Sequence, residues 1–237
     1  MLDIFPPEIA IMKTICLLLF CCLVGCTTTK PSFTDAGLYT VPQEWTATLH
    51  DGWFSAKTYS IGNYTTSSRQ NGVAKPGLPV TIQHPKDAFY YTISGPTTRL
   101  AVQTLYTVQV VFAGRDLPSF LQNAPGDTPF FYALFNDPAQ PAARWELVLR
   151  SANYLELNKD SPIGILMLDK TIYRITAHNH FGTVNAYEKI TYEIQDRGKP
   201  LAAVMPGAQP RVWMSKMVTP PQEVLFAGVI SALLLRG

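Results

Sequence analysis

The sequence predicts a mainly β protein, an antiparallel, strongly curved sheet or closed barrel with a buried hydrophobic C-terminal helix. Three observations carry this expectation. From Trp45 onward, short segments alternate apolar and polar residues, which places successive side chains on opposite faces of a strand. The 19 prolines and 15 glycines are spread along the chain and punctuate many short strands rather than marking one disordered tail. The last segment, Val224 to Leu235, has almost no polar side chain except Ser231, and a helix apolar nearly all round must be surrounded.

At the N-terminus, Lys13 precedes an apolar run from Ile15 to Leu23, the basic start and apolar core of a secretory signal. The run gives way to Thr27, Thr28, Thr29 and Lys30, too early for a spanning helix of about 20 residues. It ends in Leu23-Val24-Gly25-Cys26, which resembles the lipobox of bacterial lipoproteins. That resemblance implies cleavage before Cys26, a diacylglyceryl group on its thiol and an acylated amino group, so that alkyl chains such as palmitate hold the mature chain on a membrane. Residues 1–25 are read as the signal peptide. Met12-Lys13 reads as the natural start, which makes residues 1–11 a start-site artefact. Thr27 rather than an aspartate follows the cysteine, and by resemblance to the sorting rule of enterobacteria this implies the outer membrane, facing the periplasm.

All four cysteines, Cys16, Cys21, Cys22 and Cys26, lie in this segment, so cleavage leaves no thiol pair to staple the domain. The mature chain has 237 − 25 = 212 residues, enough for a sizeable core. Without Lys13, Asp3 and Glu8 it carries 19 − 1 = 18 basic and 17 − 2 = 15 acidic side chains, a net charge of +3 that predicts no nucleic-acid partner. Residues 26–42, rich in threonine, serine and proline, read as a lipidated tether. Residues 43–237 read as a single β-rich domain.

Within that domain, Leu100, Val102, Tyr106, Val108, Val110 and Phe112 fall on one face of a strand, straight or bent by a bulge, with Arg99, Gln103, Thr107 and Gln109 mostly on the other. Trp145, Leu147 and Leu149 alternate with Glu146, Val148 and Arg150, and Ile190, Tyr192 and Ile194 with Thr191, Glu193 and Gln195; each predicts a strand with one wet face. Asp196-Arg197-Gly198-Lys199 supplies turn chemistry before Leu201 to Met205 resumes, which predicts a hairpin. Thr219 as N-cap, Pro220 at the first helical position and Gln222 three residues on predict a capped helix over about 220–235. At 16 residues and 1.5 Å per residue it is about 24 Å long, and its apolar part is too short to span a bilayer.

A sheet curled around a terminal helix resembles the tubby-like and LURP-one-like barrels, in which about a dozen strands enclose a hydrophobic C-terminal helix. The likeness covers Trp45 to Gly237 and rests on the hairpin from Ile190 to Trp213 followed by Val224 to Leu235. The phosphoinositide-binding residues of that family have no identifiable counterparts here. A β-sandwich with the helix across one face and a lipocalin are the competing plans; adjacent Gly52 and Trp53 depart from the lipocalin Gly-x-Trp.

Candidate chemistry is sparse. His178 and His180, at i and i+2, can share a strand face and reach one metal, although a wet face with Arg174 and Thr176 accounts for them without one. His50 and His84 stand alone. There is no Gly-x-Ser-x-Gly, Ser-x-x-Lys or His-Glu-x-x-His pattern, and no phosphate-cradling glycine loop. Glu146, Glu156, Glu188 and Glu193 sit in alternating segments where a solvated face is the simpler account. Among the aromatic residues, Phe89-Tyr90-Tyr91 is the candidate binding platform. No catalytic residue and no cofactor is predicted. The expected function is a non-enzymatic, membrane-anchored binding or assembly component of the bacterial cell envelope, with the membrane and another envelope protein as partners. One alternative is a periplasmic hydrolase with a site assembled from dispersed residues, which a deep polar pocket bringing a histidine and carboxylates together would favour. The other is a carrier of a small apolar ligand, which needs an empty lumen.

Overall fold

The computed structural model describes residues 37–236 without 53–55, 75–81, 84, 111–116, 123–127, 152–156 and 183–187. The signal segment, Cys26 and residues 27–36 lie outside the described residues, as do Trp53, His84, Phe112 and Glu156.

The strands are β1 (Glu44–Trp45), β2 (Ala47–His50), β3 (Thr58–Ile61), β4 (Tyr64–Thr66), β5 (Gln70–Asn71), β6 (Ile82–Gln83), β7 (Lys86–Ser94), β8 (Arg99–Thr107), β9 (Gln109–Val110), β10 (Phe130–Asp137), β11 (Gln140–Leu149), β12 (Gly164–Leu168), β13 (Thr171–His178), β14 (Thr191–Asp196), β15 (Lys199–Met205) and β16 (Arg211–Met214). Among the described residues two α-helices join them, the single turn α1 (Ser119–Gln122) and α2 (Pro220–Leu235). One antiparallel sheet runs β1-β16-β15-β14-β13-β12-β11-β10-β8-β7-β4-β3-β2, with β5 also on β7, while β6 and β9 pair separately. Its two ends nearly meet, because β1 pairs with β16 and β2 with β3, and only Thr46 separates β1 from β2. The Thr46 carbonyl accepts the Gly62 N–H at 2.9 Å. At this seam Glu44 takes two hydrogen bonds from Arg211, at 2.7 and 2.8 Å, which hold its carboxyl below the usual carboxylate range. A nearly closed barrel results, with few free strand edges.

The lumen holds α2. Every residue from Val224 to Leu235 is buried, and the helix packs on β3, β4, β7, β8, β10 and β15. Inward-facing side chains such as Ile61, Ile93, Val102, Phe135, Leu147, Ile175 and Val204 form one cluster with it. Ser231 is accommodated by donating to the Gly228 carbonyl at 2.7 Å and bonding the Tyr91 hydroxyl at 2.8 Å. A Cβ on Gly228 would stand 3.2 Å from the Phe135 ring, so glycine is what lets the helix approach β10 this closely. At the helix start the Thr219 N–H donates to Gln222 Oε1 at 2.9 Å, the reciprocal half of the expected capping box. Among the described residues no helix is long and apolar enough to cross a membrane.

The fold class and the terminal helix agree with the sequence reading, and so does the β14–β15 hairpin. Both central residues of its turn have positive φ, Arg197 at 49° and Gly198 at 80°, the mirror-image turn that suits strand twist. Other expectations need correction. Neither a sandwich nor a hollow lipocalin lumen is present among the described residues, because α2 occupies the space an apolar cargo would need. The strand expected over 99–112 ends at Thr107, Val108 is exposed, and the chain continues in β9 with a different partner.

Its outer face is also dry. Leu105, Leu121, Phe130, Tyr132, Leu134, Val148, Ile165 and Met167 form a second cluster outside the barrel wall, with Leu117 and Phe120 packed on it. Gln103 is buried beside them, its amide donating to the Gly72 and Phe89 carbonyls at 3.1 Å and its oxygen accepting the Ala74 N–H at 2.7 Å. The outer face of β14 is buried as well, with Thr191, Glu193 and Gln195 at 0%, 8% and 4% exposure. Residues 37–42, read from sequence as the end of the tether, cover it: Leu38 is 3% exposed and joins a third cluster with Ala203, Met205 and Trp213.

Burying an unpaired carboxylate inside this lumen has no compensating partner. Leu233→Asp should therefore lower stability by about 3 kcal/mol or more, a fall in melting temperature of roughly 6 °C or more, measured by thermal denaturation with circular dichroism.

Candidate functional site

The covered face of β13 and β14 builds the site. Arg174, Thr176 and His178 alternate outward along β13, and Gln195, Glu193 and Thr191 stand opposite them on β14. Glu193 is the centre. One carboxylate oxygen, Oε1, accepts the Tyr39 hydroxyl and lies 3.4 Å from His178 Nε2. The other, Oε2, accepts Gln195 Nε2 at 2.8 Å and the Thr176 hydroxyl at 3.3 Å.

Tyr39 in turn lies 2.6 Å from His178 Nε2, and the His180 N–H donates to His178 Nδ1 at 3.3 Å. These contacts assign the proton on His178. Because Nδ1 accepts, Nε2 carries the hydrogen and donates to the Tyr39 oxygen, whose own hydrogen goes to Glu193. Burial alone would push the Glu193 carboxyl up, but hydrogen bonds from His178, Tyr39 and the Gln195 amide together lower it to about 2. Burial first, and the Glu193 charge second, push the Tyr39 phenol far up, so it remains a donor.

Around this network opens a cleft of about 950 Å³ on the outside of the barrel. One wall is the arm of residues 37–43, which ends in a 3₁₀ turn at Val41–Gln43. The opposite wall is the turn before β12, where Asn158 and Asp160 take left-handed backbone angles with φ of 65° and 51°. Asn158 Nδ2 donates to Asn179 Oδ1 at 2.7 Å, and Asp160 Oδ1 accepts Gln195 Nε2 at 3.1 Å, so this wall is tied to the same strands. Lys199, Lys216 and Met217 lie at the rim. Under the arm, Tyr39 meets Trp213 edge-on with centroids 5.0 Å apart, Phe181 stacks on Trp213 at 5.3 Å, and the Arg211 guanidinium covers Trp213 at 4.7 Å.

The sequence candidates fare unevenly. His178 and His180 do come together, with ring centroids 4.4 Å apart, but His178 is 5% exposed under the arm rather than on a wet face. Both of its ring nitrogens are engaged within the protein, and among the described residues no three histidine, cysteine or acidic side chains converge as metal ligands. His50 bonds Ser60 at 2.9 Å at an exposed position away from the cleft. Of the three glutamates among the described residues, Glu193 enters the site, and Glu146 and Glu188 are half-buried elsewhere; Glu156 lies outside the described residues.

Phe89-Tyr90-Tyr91 does not form a platform. Phe89 and Tyr91 are 2% exposed inside the barrel, and only Tyr90 faces outward, half-buried. Tyr39, Thr176, Gln195 and Asp160 were not foreseen, and no spacing signals them: Tyr39 and Glu193 are 154 residues apart. Comparison with protein-family models, with curated proteins and with solved structures returns no match.

Two outcomes follow for the network. Tyr39→Phe removes a donor from a buried carboxylate and should cost about 1–3 kcal/mol in urea denaturation at pH 7, with the Glu193 carboxyl titrating higher. A carboxyl lowered on folding stabilises the native state above its ordinary value of 4.5, and that stabilisation is lost as pH falls toward about 2. Between those values, the stability of the parent protein should fall more steeply with acid than that of Glu193→Gln, as read by denaturant titrations at successive pH.

Proposed function

We propose that this chain is a bacterial envelope lipoprotein, held through lipid on Cys26 at the outer membrane and facing the periplasm, whose cleft beside residues 37–43 binds a ligand without transforming it. The observation that carries the binding reading is the saturation of Glu193. Its two oxygens already take Tyr39, His178, Gln195 and Thr176, and its carboxyl at about 2 lies far from the range that suits a general base near neutral pH. The network works as an anchor that holds the arm as a preformed wall. A cleft of about 950 Å³, apolar at Leu38, Pro42, Pro200 and Met217 and polar at Asn158, Asp160, Lys199 and Lys216, has the size and mixed lining of a ligand site. The anchoring reading rests on Leu23-Val24-Gly25-Cys26. The resemblance to tubby-like and LURP-one-like barrels is one of plan, and no ligand is carried over from it.

Native mass spectrometry of the protein released from its own membranes tests the binding reading. A bound mass should accompany the parent chain and be lost from Thr40→Trp, which fills the cleft, while circular dichroism shows the variant folded; an adduct indifferent to Thr40→Trp contradicts the assignment. For the anchor, Cys26→Ala should abolish labelling by a radiolabelled fatty acid and release the protein from membrane fractions. Continued labelling would refute it.

The hydrolase reading has its own observation, since His178 and Glu193 stand 3.4 Å apart in the wall of a cleft. Turnover of an ester, amide or glycoside by the parent protein that disappears in His178→Ala would replace the binding reading with this one.

A further inference from the structure

We infer that the pocket at the end of the barrel where α2 begins is a second binding site, for a neutral sugar ring. Its volume is about 370 Å³, within the roughly 300–1,000 Å³ usual for ligand sites. Two hairpin turns and the helix start frame it, through Thr97 and Thr98 between β7 and β8, Asp137 and Gln140 at the β10–β11 turn, and Pro220-Pro221. It shares no lining residue with the cleft beside residues 37–43, so it stands apart from the reading of that cleft.

Trp145 is the informative side chain. It is half-buried, and its ring stacks on Tyr173 with centroids 5.6 Å apart and planes 26° from parallel. Tyr173 does not line the pocket, so it braces the indole from behind, and Trp145 meets the pocket as a fixed aromatic surface. Tyr64, another ring in the lining, is fixed likewise: Trp45, outside the lining, stacks on it at 6.1 Å, and a Cβ on Gly95 would collide with it. Glycine at 95 thus seats the β7–β8 turn on that ring, and its N–H closes the turn on the Thr98 carbonyl at 2.8 Å. At the β10–β11 turn the Ala139 N–H donates to Asp137 Oδ1 at 2.8 Å. Both polar edges are therefore preformed.

The chemistry of the lining selects the ligand. Asp137 is its one charged side chain among the described residues, and with no lysine, arginine or histidine beside it the pocket repels an anion. Burial first, and the Glu223 charge second, push the Tyr64 phenol up, so that ring stays neutral. A cation offers donors alone, whereas the exposed Thr97, Thr98 and Gln140 side chains each donate and accept. A purely apolar ligand would use none of them. A pyranose presents both kinds of surface, C–H groups on its faces and hydroxyls that donate and accept around its edge. The C–H face suits the electron-rich face of the indole, and the hydroxyls suit Asp137, Gln140 and the threonines.

Calorimetric titration of the full chain with maltose, cellobiose, N,N′-diacetylchitobiose and tetramethylammonium tests the assignment. At least one saccharide should bind saturably, and Trp145→Ala should abolish that binding. Thr98→Ala combined with Gln140→Ala, at exposed turn positions that leave the core intact, should weaken it tenfold or more with the circular dichroism unchanged; this variant carries the test where Trp145→Ala does not fold. Thr40→Trp, in the other cleft, should leave saccharide binding as it is. No saccharide binding, binding indifferent to the double variant, or binding lost in Thr40→Trp would overturn the site. Binding of tetramethylammonium without any saccharide would overturn the sugar class.

Discussion

The apolar circumference of α2 is the constraint on which the rest of the structure depends. An amphipathic helix can lie on a flat sheet, but the run from Val224 to Leu235 has no side that tolerates water, and each fully buried leucine, isoleucine or valine is worth about 1.5–3 kcal/mol. Apolar wall must therefore meet the helix from every direction. A strongly curved antiparallel sheet provides it with one residue in two along each strand, and near-closure follows once the curvature is complete. The same closure removes most of the free strand edges that a long sheet would otherwise present. Gly228 against Phe135 and the Ser231–Tyr91 bond are local adjustments to this single demand.

Filling the lumen displaces everything else to the outer wall and the barrel ends. Because side chains alternate, the outward residues of the same strands are free to differ from place to place. On β8, β10, β11 and β12 they are mostly apolar, Gln103 and Glu146 apart, and form a cluster with Leu121 of α1. On β13 and β14 they are polar and are covered by the arm of residues 37–43. Polar residues can be buried there because they satisfy one another: the Glu193 carboxylate is hydrogen-bonded by donors of the fold rather than by solvent, and Tyr39 supplies both a phenol to the network and a ring to Trp213.

The division between what was legible in the sequence and what was not follows the range of the signals. Helix α2 is written in consecutive residues, Thr219, Pro220, Gln222 and the apolar run, and so is the β14–β15 turn at Arg197-Gly198. The inner halves of β11 and β14 are equally plain, because Leu147, Leu149, Tyr192 and Ile194 alternate toward the core. The outer halves misled. Thr191, Glu193 and Gln195 look like a wet face because they are polar, and only a contact 154 residues away in sequence, with Tyr39, makes them dry. The seam between Glu44 and Arg211, 167 residues apart, is silent for the same reason.

One pair of strands joins the core to the candidate site. Ile175 and Ile194 point inward to the cluster around α2, while Thr176, His178, Glu193 and Gln195 point outward to the arm. A slip of one residue between β13 and β14 would exchange the two sets, sending carboxylate to the helix and isoleucine to the cleft. The burial of α2 thus fixes the register that aligns Glu193 with Thr176 and brings His178 within reach. It follows that the floor of the cleft is as rigid as the barrel. The arm, attached through Tyr39, Leu38 and the seam at Glu44, is the wall whose position depends on a few specific contacts. Any adjustment of the cleft to what it binds must then be made by residues 37–43, the part of the described domain nearest in sequence to the proposed lipid anchor.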